Sequence, residues 1–155
     1  MDSYSLIKTL HVLSAAVMFG TGLGIAFFMY VGLKSDNLAH QFFVAKATVI
    51  ADFCFTLPAA IVQPLSGIYL IWKSGMSWNT SWLLWAYVLY FIAGVCWVPV
   101  VFIQIRLLGI LKRRSAGLND SSEEFQKLFG LWYLLGWPAF ASVITIFWLM
   151  IAKPT

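Results

Sequence analysis

Four long apolar segments, separated by polar stretches, dominate the pattern of hydrophobic and polar positions along the chain. A helix needs about 20 residues to cross the hydrocarbon core of a bilayer, and each segment reaches that length. The pattern therefore predicts an all-α, polytopic membrane protein, a four-transmembrane-helix bundle that forms one domain over residues 1–155. The predicted spans run from about Ser5 to Tyr30, Phe42 to Trp72, Trp82 to Ile105 and Phe129 to Ala152.

Polar stretches between the segments predict the loops of the bundle. Lys34 to Asn37 and Lys73 to Thr80 are short and rich in turn-forming residues. Arg106 to Lys127 is the longest hydrophilic stretch in the sequence. Within it, the Asn-Asp-Ser sequence at 119–121 precedes two glutamates, which is typical of a helix start with an Asp or Ser cap.

Composition agrees with a membrane environment, because 61% of the residues are hydrophobic and only 10% are charged. The net charge of +4 comes from basic residues beside the apolar segments, where a membrane surface explains them better than nucleic acid does. Cys54 and Cys96 lie inside apolar runs, so we interpret them as small buried hydrophobic residues, not as a disulfide or a metal pair. The sequence lacks the motifs of serine hydrolases, P-loop nucleotide-binding proteins and zinc proteases.

The basic residues are unequally divided between the two ends of the predicted helices. Positive charge stays preferentially on the cytoplasmic side, so the more basic end is expected to be cytoplasmic. Both termini are then expected outside the cytoplasm in a multi-pass protein of the cell (inner) membrane. Seven basic residues flank the loops after spans 1 and 3, namely Lys34, Lys46, Arg106, Lys112, Arg113, Arg114 and Lys127, and three lie at the other end, namely Lys8, Lys73 and Lys153.

The first span contains one ionisable residue in its interior, His11, with Lys8 one turn before it. At about 100° per residue, the face of His11 carries mostly small side chains: Ser14, Ala15, Met18, Gly22 and Ala26. Small neighbours indicate that His11 faces the bundle interior, either as a hydrogen-bonded core residue or in a ligand- or proton-handling role. Gly20 and Gly24 form a GxxxG spacing, which predicts the close approach of another helix and permits a dimer.

The second span carries a polar stripe along one helical face: Ala45, Thr48, Asp52, Thr56, Ala59, Gln63 and Ser66. A carboxylate at the bilayer centre costs about 2.5–3.5 kcal/mol on insertion scales, so Asp52 is expected to be protonated, paired or beside a polar cavity. It either joins helices by hydrogen bonds, for example through Thr48 or Thr56, or handles protons. Pro58 and Pro64 interrupt the span and predict a kinked helix.

Antiparallel threading of the first two spans sets the depths of their polar residues. His11 is expected in the outer half, near the level of Gln63 and Ser66, and Asp52 near the middle. His40 is expected at the cytoplasmic end in a polar loop, where a solvated side chain is the simplest interpretation. His11 and His40 are therefore too far apart to bind one metal ion.

The run from Leu6 to His11, followed by an apolar stretch with Phe19 and Gly20, resembles the first helix of the HemJ-type protoporphyrinogen oxidases. That helix opens with the pattern Lys-x-x-His. The hydropathy of the whole chain is also similar to that of the four-helix membrane proteins grouped with HemJ and the copper-resistance D proteins. The arginine that follows the Phe-Gly region in HemJ has no counterpart in the first span here.

The resemblance implies b-type haem, with His11 as the axial ligand of the iron and Lys8 near a haem propionate. Gln63, at the same depth, is expected to line the site. A cytochrome-like, redox or haem-handling protein is the implied function, without a defined enzymatic reaction.

Two other hypotheses remain open at this point. In a non-enzymatic membrane subunit or assembly partner, the polar stripe would only fix helix register. In a small solute or ion transporter, including one for copper, it would form the passage. The expected partners are the lipid bilayer and a second copy or another membrane subunit, and no nucleic acid.

Overall fold

Five helices and one widened helical turn make up the chain in the computed structural model, which describes residues 2–118 and 122–154. The elements, in chain order, are α1 (Ser3–Leu33), α2 (Leu38–Ala51), a π-helical turn (Asp52–Thr56), α3 (Leu57–Ser74), α4 (Ser81–Ser115) and α5 (Ser122–Ala152). Because α2, the π turn and α3 are continuous, the helices form four long rods. The all-α prediction is confirmed, and the described residues contain no strand.

Each rod is long and apolar enough to cross a membrane. The helices extend past the predicted spans, because a helix can continue beyond the hydrocarbon core into the headgroup region. The largest difference concerns Arg106 to Ser115, which was predicted in the hydrophilic stretch and forms the last turns of α4. The helix start predicted at 119–121 lies outside the described residues.

Local sequence explains where several helices begin and end. Asp2 begins α1, because its Oδ1 accepts a hydrogen bond from the Ser5 N–H at 2.9 Å. Asn37 begins α2 in the same way and accepts from two backbone N–H groups of the first turn. Gly75 ends α3 with a φ of +68°, a left-handed conformation that glycine adopts without steric strain.

Two apolar clusters hold the rods together, one at each end of the bundle. The larger lies where α1 meets α2 and α4 meets α5, here called the basic end, and it includes the fully buried Met29 and Leu107. The smaller lies at the end that holds the termini, where Ile71, Trp82 and Leu149 join α3, α4 and α5. In lipid, such contacts stabilise the bundle through close van der Waals packing and not through the exclusion of water.

Large apolar side chains cover the outside of the bundle. Phe28, Phe91 and Ile151 are 65%, 72% and 83% exposed. Water penalises so large an apolar surface, whereas the acyl chains of a bilayer solvate it. The outer surface is therefore that of a protein embedded in lipid.

The close helix contact predicted at Gly20 and Gly24 does not occur within the chain. A Cβ placed on either glycine would meet no described atom within 4 Å. The close approach lies at Gly32, where an added Cβ would come within 2.7–2.9 Å of the Val44 side chain on α2. Gly32 therefore allows α1 and α2 to cross tightly near the basic end.

The two cysteines are free thiols, but only one of them is even partly buried. Cys96 is partly buried on α4, whereas Cys54 is exposed on the π turn. The prediction that Cys54 is buried was wrong because its apolar neighbours in sequence face outward. In a membrane, an apolar residue is solvated by lipid and does not have to lie inside the protein.

Candidate functional site

The polar stripe of the second rod faces the centre of the bundle. All but one of its residues are buried, and the exception, Gln63, is half-buried. The buried members are Ala45, Thr48, Asp52, Thr56, Ala59 and Ser66. With Asp52 only 3% exposed, its carboxyl group lies inside the protein and away from lipid.

The stripe passes through the π-helical turn Asp52–Thr56, and Pro58 explains why the turn is wide. Proline has no N–H for the carbonyl four residues earlier, and its ring crowds that carbonyl in a regular α-helix. In the widened turn, the Leu57 N–H donates to the Asp52 carbonyl, five residues earlier. The interruption predicted at Pro58 therefore takes the form of a π turn, which positions Asp52 and Thr56.

Four polar side chains from α1 and α3 meet in the half of the bundle nearer the termini. We call them the His11 network: His11, Ser14, Gln63 and Ser66. His11 Nδ1 lies 2.8 Å from Ser66 Oγ. Gln63 Nε2 donates to the His11 carbonyl and to Ser14 Oγ, both at 2.6 Å. His11 therefore lies at the depth of Gln63 and Ser66, as antiparallel threading predicts.

The hydrogen bonds of Ser66 determine which nitrogen of a neutral His11 carries the proton. Ser66 Oγ lies 2.6 Å from the Val62 carbonyl of its own helix, so its one hydroxyl proton can be donated to the backbone or to His11 Nδ1. When the proton is donated to the backbone, Ser66 Oγ accepts from His11 and the proton of the neutral imidazole lies on Nδ1. Nε2 keeps its lone pair, and within the described chain no hydrogen bond to it is found. Nε2 is therefore the atom through which His11 can bind a ligand.

The imidazole of His11 packs against α3 at a residue without a side chain. A Cβ on Gly67 would lie 3.5 Å from His11 Cε1, an ordinary van der Waals distance. His11 is half-buried, and Lys8 is exposed one turn closer to the N-terminus. Ala26, predicted on the inward face of α1, is exposed, and Met29 is buried in its place. The inward-facing positions shift gradually around α1, because seven residues make slightly less than two turns of a helix.

A second polar cluster lies near the middle of the second rod, and we call it the Asp52 site: Asp52, Thr56, Trp97 and Gln104. Trp97 Nε1 donates to Asp52 Oδ1 at 3.4 Å. Thr56 and Gln104 also lie beside the carboxyl group. Yet Asp52 Oδ2, Thr56 Oγ1 and Gln104 Oε1 are buried without a hydrogen-bond partner among the described residues. Buried polar atoms are nearly always bonded, so these three oxygens mark an exceptional place in the bundle.

Only part of the Asp52 site was predicted from the sequence. Thr56 lies beside the carboxyl, and Thr48 is buried one turn earlier, where its carbonyl accepts the Asp52 N–H. Trp97 and Gln104, on α4, were missed. They lie seven residues apart and so share a helical face, and Gln104 is 1% exposed. The sequence signal for this site was the amide of Gln104 inside a long apolar run, because such a side chain needs a polar partner within the bundle.

The remaining candidates lie apart from both clusters. His40 is exposed at the basic end, as predicted, and is far from His11, but it lies in the first turn of α2 and not in the predicted loop. Residues 2–118 and 122–154 contain no group of three or more His, Cys, Asp or Glu side chains that could hold a metal ion. Two surface cavities of about 420 and 430 Å³ lie at the basic end and between α4 and α5 at the opposite end. Neither is lined by His11 or Asp52.

Comparison with known proteins identifies the family of the chain. A family model described as a predicted integral membrane protein, DUF2269, matches residues 5–154 and so covers all four rods and both polar clusters. No curated protein and no solved structure matches the chain. The chain therefore belongs to DUF2269, a family of predicted integral membrane proteins.

Proposed function

We propose that this protein binds b-type haem in the membrane through His11 Nε2 and acts as a cytochrome-like or haem-handling protein. One observation carries the proposal: His11 Nδ1 lies 2.8 Å from Ser66 Oγ, and Nε2 is the ring nitrogen that has no hydrogen bond in the described chain. Metal-ligating histidines usually donate their second ring N–H to a fixed acceptor, because that bond orients the ring and raises its basicity. Haem iron is commonly held by a histidine of this kind.

The surroundings of His11 support the fit of a flat ligand. Gly67 presents no side chain to the ring, and His11 is only half-buried, so a ligand can reach it without separating α1 from α3. The exposed Lys8 can pair its ammonium with a propionate carboxylate. The resemblance of the first helix to that of HemJ supports the same ligand. Bound haem would supply one-electron redox chemistry, while His11, Ser66 and Lys8 hold and orient it.

Visible absorption of the purified protein, produced with haem supplied in excess, tests this proposal. The wild-type protein is expected to show a Soret band, and His11→Ala is expected to abolish it. His40→Ala is the matched control, because His40 is the other histidine of the chain and lies exposed at the basic end. That variant should keep the band. A correctly folded wild-type protein that remains colourless under these conditions disproves haem binding.

A second candidate function is that of a non-enzymatic membrane subunit, and the His11 network is the observation that favours it. The bonds from Gln63 to the His11 carbonyl and to Ser14 join α1 to α3 without any ligand. Under this alternative, the network serves only to fix the two helices in register. His11→Ala would then lower the thermal stability of a colourless protein, and the wild type would co-purify with a stoichiometric membrane partner.

We also propose that both termini lie outside the cytoplasm. An even number of rods places both termini at the same end of the bundle. Seven of the ten basic residues lie in or beside the loops at the opposite end. Topology reporters fused at Ser115 and at the C-terminal end test the orientation. The first is expected to report the cytoplasm and the second the outside, and the reverse result would overturn the orientation while leaving four spans intact.

A further inference from the structure

The strongest unexplained feature of the bundle is the set of three oxygens at the Asp52 site. Asp52, Thr56 and Gln104 are 3%, 6% and 1% exposed, so all three are more than nine-tenths buried. One side-chain oxygen of each has no hydrogen-bond partner. An orphaned buried oxygen is costly, and three beside one another are unusual unless something else occupies the space between them.

The charge of Asp52 limits which molecule or ion can occupy the space between these oxygens. In the part of the chain that the structure describes, no basic side chain pairs with the carboxyl, and the polar groups beside it are the neutral side chains of Trp97, Thr56 and Gln104. A bound water molecule would satisfy the oxygens of a neutral, protonated Asp52, but it would leave the charge of an ionised carboxylate uncompensated inside the membrane. A monovalent cation satisfies the oxygens and neutralises the charge together.

The ligand atoms are those that a hard cation prefers. Carboxylate, hydroxyl and amide oxygens bind alkali and alkaline-earth ions, whereas copper and zinc favour sulfur and imidazole. The Asp52 site also lies at the π turn, where Pro58 has no N–H and interrupts the regular hydrogen bonding of the helix. Interrupted membrane helices provide carbonyls to cations in ion-coupled transporters.

We propose that Asp52, Thr56 and Gln104 form an intramembrane binding site for a sodium ion. Asp52 Oδ2, Thr56 Oγ1 and Gln104 Oε1 are the side-chain ligands, and Trp97 orients the carboxylate through Oδ1. The site shares the polar stripe of the second rod with the His11 network but uses none of its atoms. It is therefore independent of haem binding at His11.

Thermal unfolding of the purified full chain in detergent tests the site, with sodium chloride compared against choline chloride at equal concentration and pH. A cation that binds only the folded protein raises its melting temperature, and we expect sodium to raise it by at least about 2 °C. Asp52→Asn and Gln104→Leu should each abolish the difference between the two salts. Ser142→Ala, a change at a buried serine of α5 that bonds only to its own helix, should keep it.

Two outcomes would overturn the proposal. If wild type melts at the same temperature in both salts, the three oxygens hold water or a proton and not sodium. If Asp52→Asn keeps the full sodium effect, the ion binds elsewhere. Because Asp52→Asn preserves the shape of the side chain, it should fold, and an unchanged Soret band in that variant would show that any haem site at His11 is intact. Failure of the sodium site thus remains distinguishable from failure of haem binding.

Discussion

The two polar clusters of the bundle both use side chains from the polar stripe of the second rod, but they differ in how their hydrogen bonds are satisfied. In the His11 network, the side-chain donors of Ser14, Gln63 and Ser66 have acceptors within the cluster or in their own helix. In the Asp52 site, three buried oxygens have no partner, and the bond from Trp97 to the carboxyl is long at 3.4 Å. The first cluster is complete as it stands, and the second is complete only with an added ligand.

This difference shows which hydrogen bonds in each cluster hold helices together and which atoms remain for a ligand. Bonds among side chains hold α1 to α3 at the His11 network, and they leave only Nε2 of the histidine for another partner. At the Asp52 site, Trp97 of α4 donates a long hydrogen bond to the carboxyl group of the π turn, but one side-chain oxygen each of Asp52, Thr56 and Gln104 has no partner. A buried polar group without a hydrogen-bond partner lowers the stability of a membrane protein. Such a group is expected where a ligand binds.

The comparison predicts different effects for the half-buried Gln63 and the buried Gln104, and this is the largest effect that we expect. Gln63→Leu removes two bonds between α1 and α3 and should lower the free energy of unfolding by about 1–3 kcal/mol. Gln104→Leu fills the same volume and removes an oxygen without a partner together with an amide group beside Asp52, so in choline chloride its loss of stability should be smaller. Denaturant unfolding of both variants in mixed micelles measures the difference. Equal losses of stability would contradict the contrast between the clusters.

A smaller effect is expected at Trp97, which donates a hydrogen bond to Asp52. Trp97→Phe keeps an aromatic side chain but removes the indole N–H, so it should lower the free energy of unfolding by about 0.5–1.5 kcal/mol. Sodium-dependent stabilisation should weaken but persist, because the three proposed ligand oxygens remain. Trp85→Phe is a matched control on the same helix, since Trp85 is 62% exposed to lipid. Complete loss of the sodium effect in Trp97→Phe would mean that the indole does more than orient the carboxylate.

Much of this architecture could be predicted from the sequence, for identifiable reasons. Four apolar segments of sufficient length require four helices, because only helices satisfy their own backbone bonds in lipid. The stripe containing Asp52 and Gln63 could be predicted because polar residues at helical spacing must share an inward face. Antiparallel threading then placed His11 beside Ser66.

Other features depend on interactions that periodicity does not contain. The choice of Gln104 and Trp97 as partners of Asp52 depends on how α4 is rotated and at what depth it packs against the second rod. Apolar segments also do not tell lipid-facing from buried positions, so Cys54 was predicted on the wrong side of its helix. Glycine spacing likewise indicates where a close approach is possible, and Gly32, not Gly20, is where it occurs.

The smallest expected effect on stability concerns Ser66, whose role is to position the proton of His11. Ser66→Ala removes the acceptor of Nδ1–H, and an interhelical hydrogen bond in a membrane protein contributes about 0.6 kcal/mol on average. The larger consequence is chemical, because neutral His11 is then no longer held as the Nδ1–H tautomer. Nitrogen NMR of the labelled imidazole is expected to report Nδ1–H in wild type and a mixture of tautomers in Ser66→Ala. Ser142→Ala, whose hydroxyl bonds only within α5, should leave the His11 signals unchanged. Identical ring signals in wild type and Ser66→Ala would show that Ser66 does not set the tautomer, and the ligand-binding role of Nε2 would then lose its structural basis.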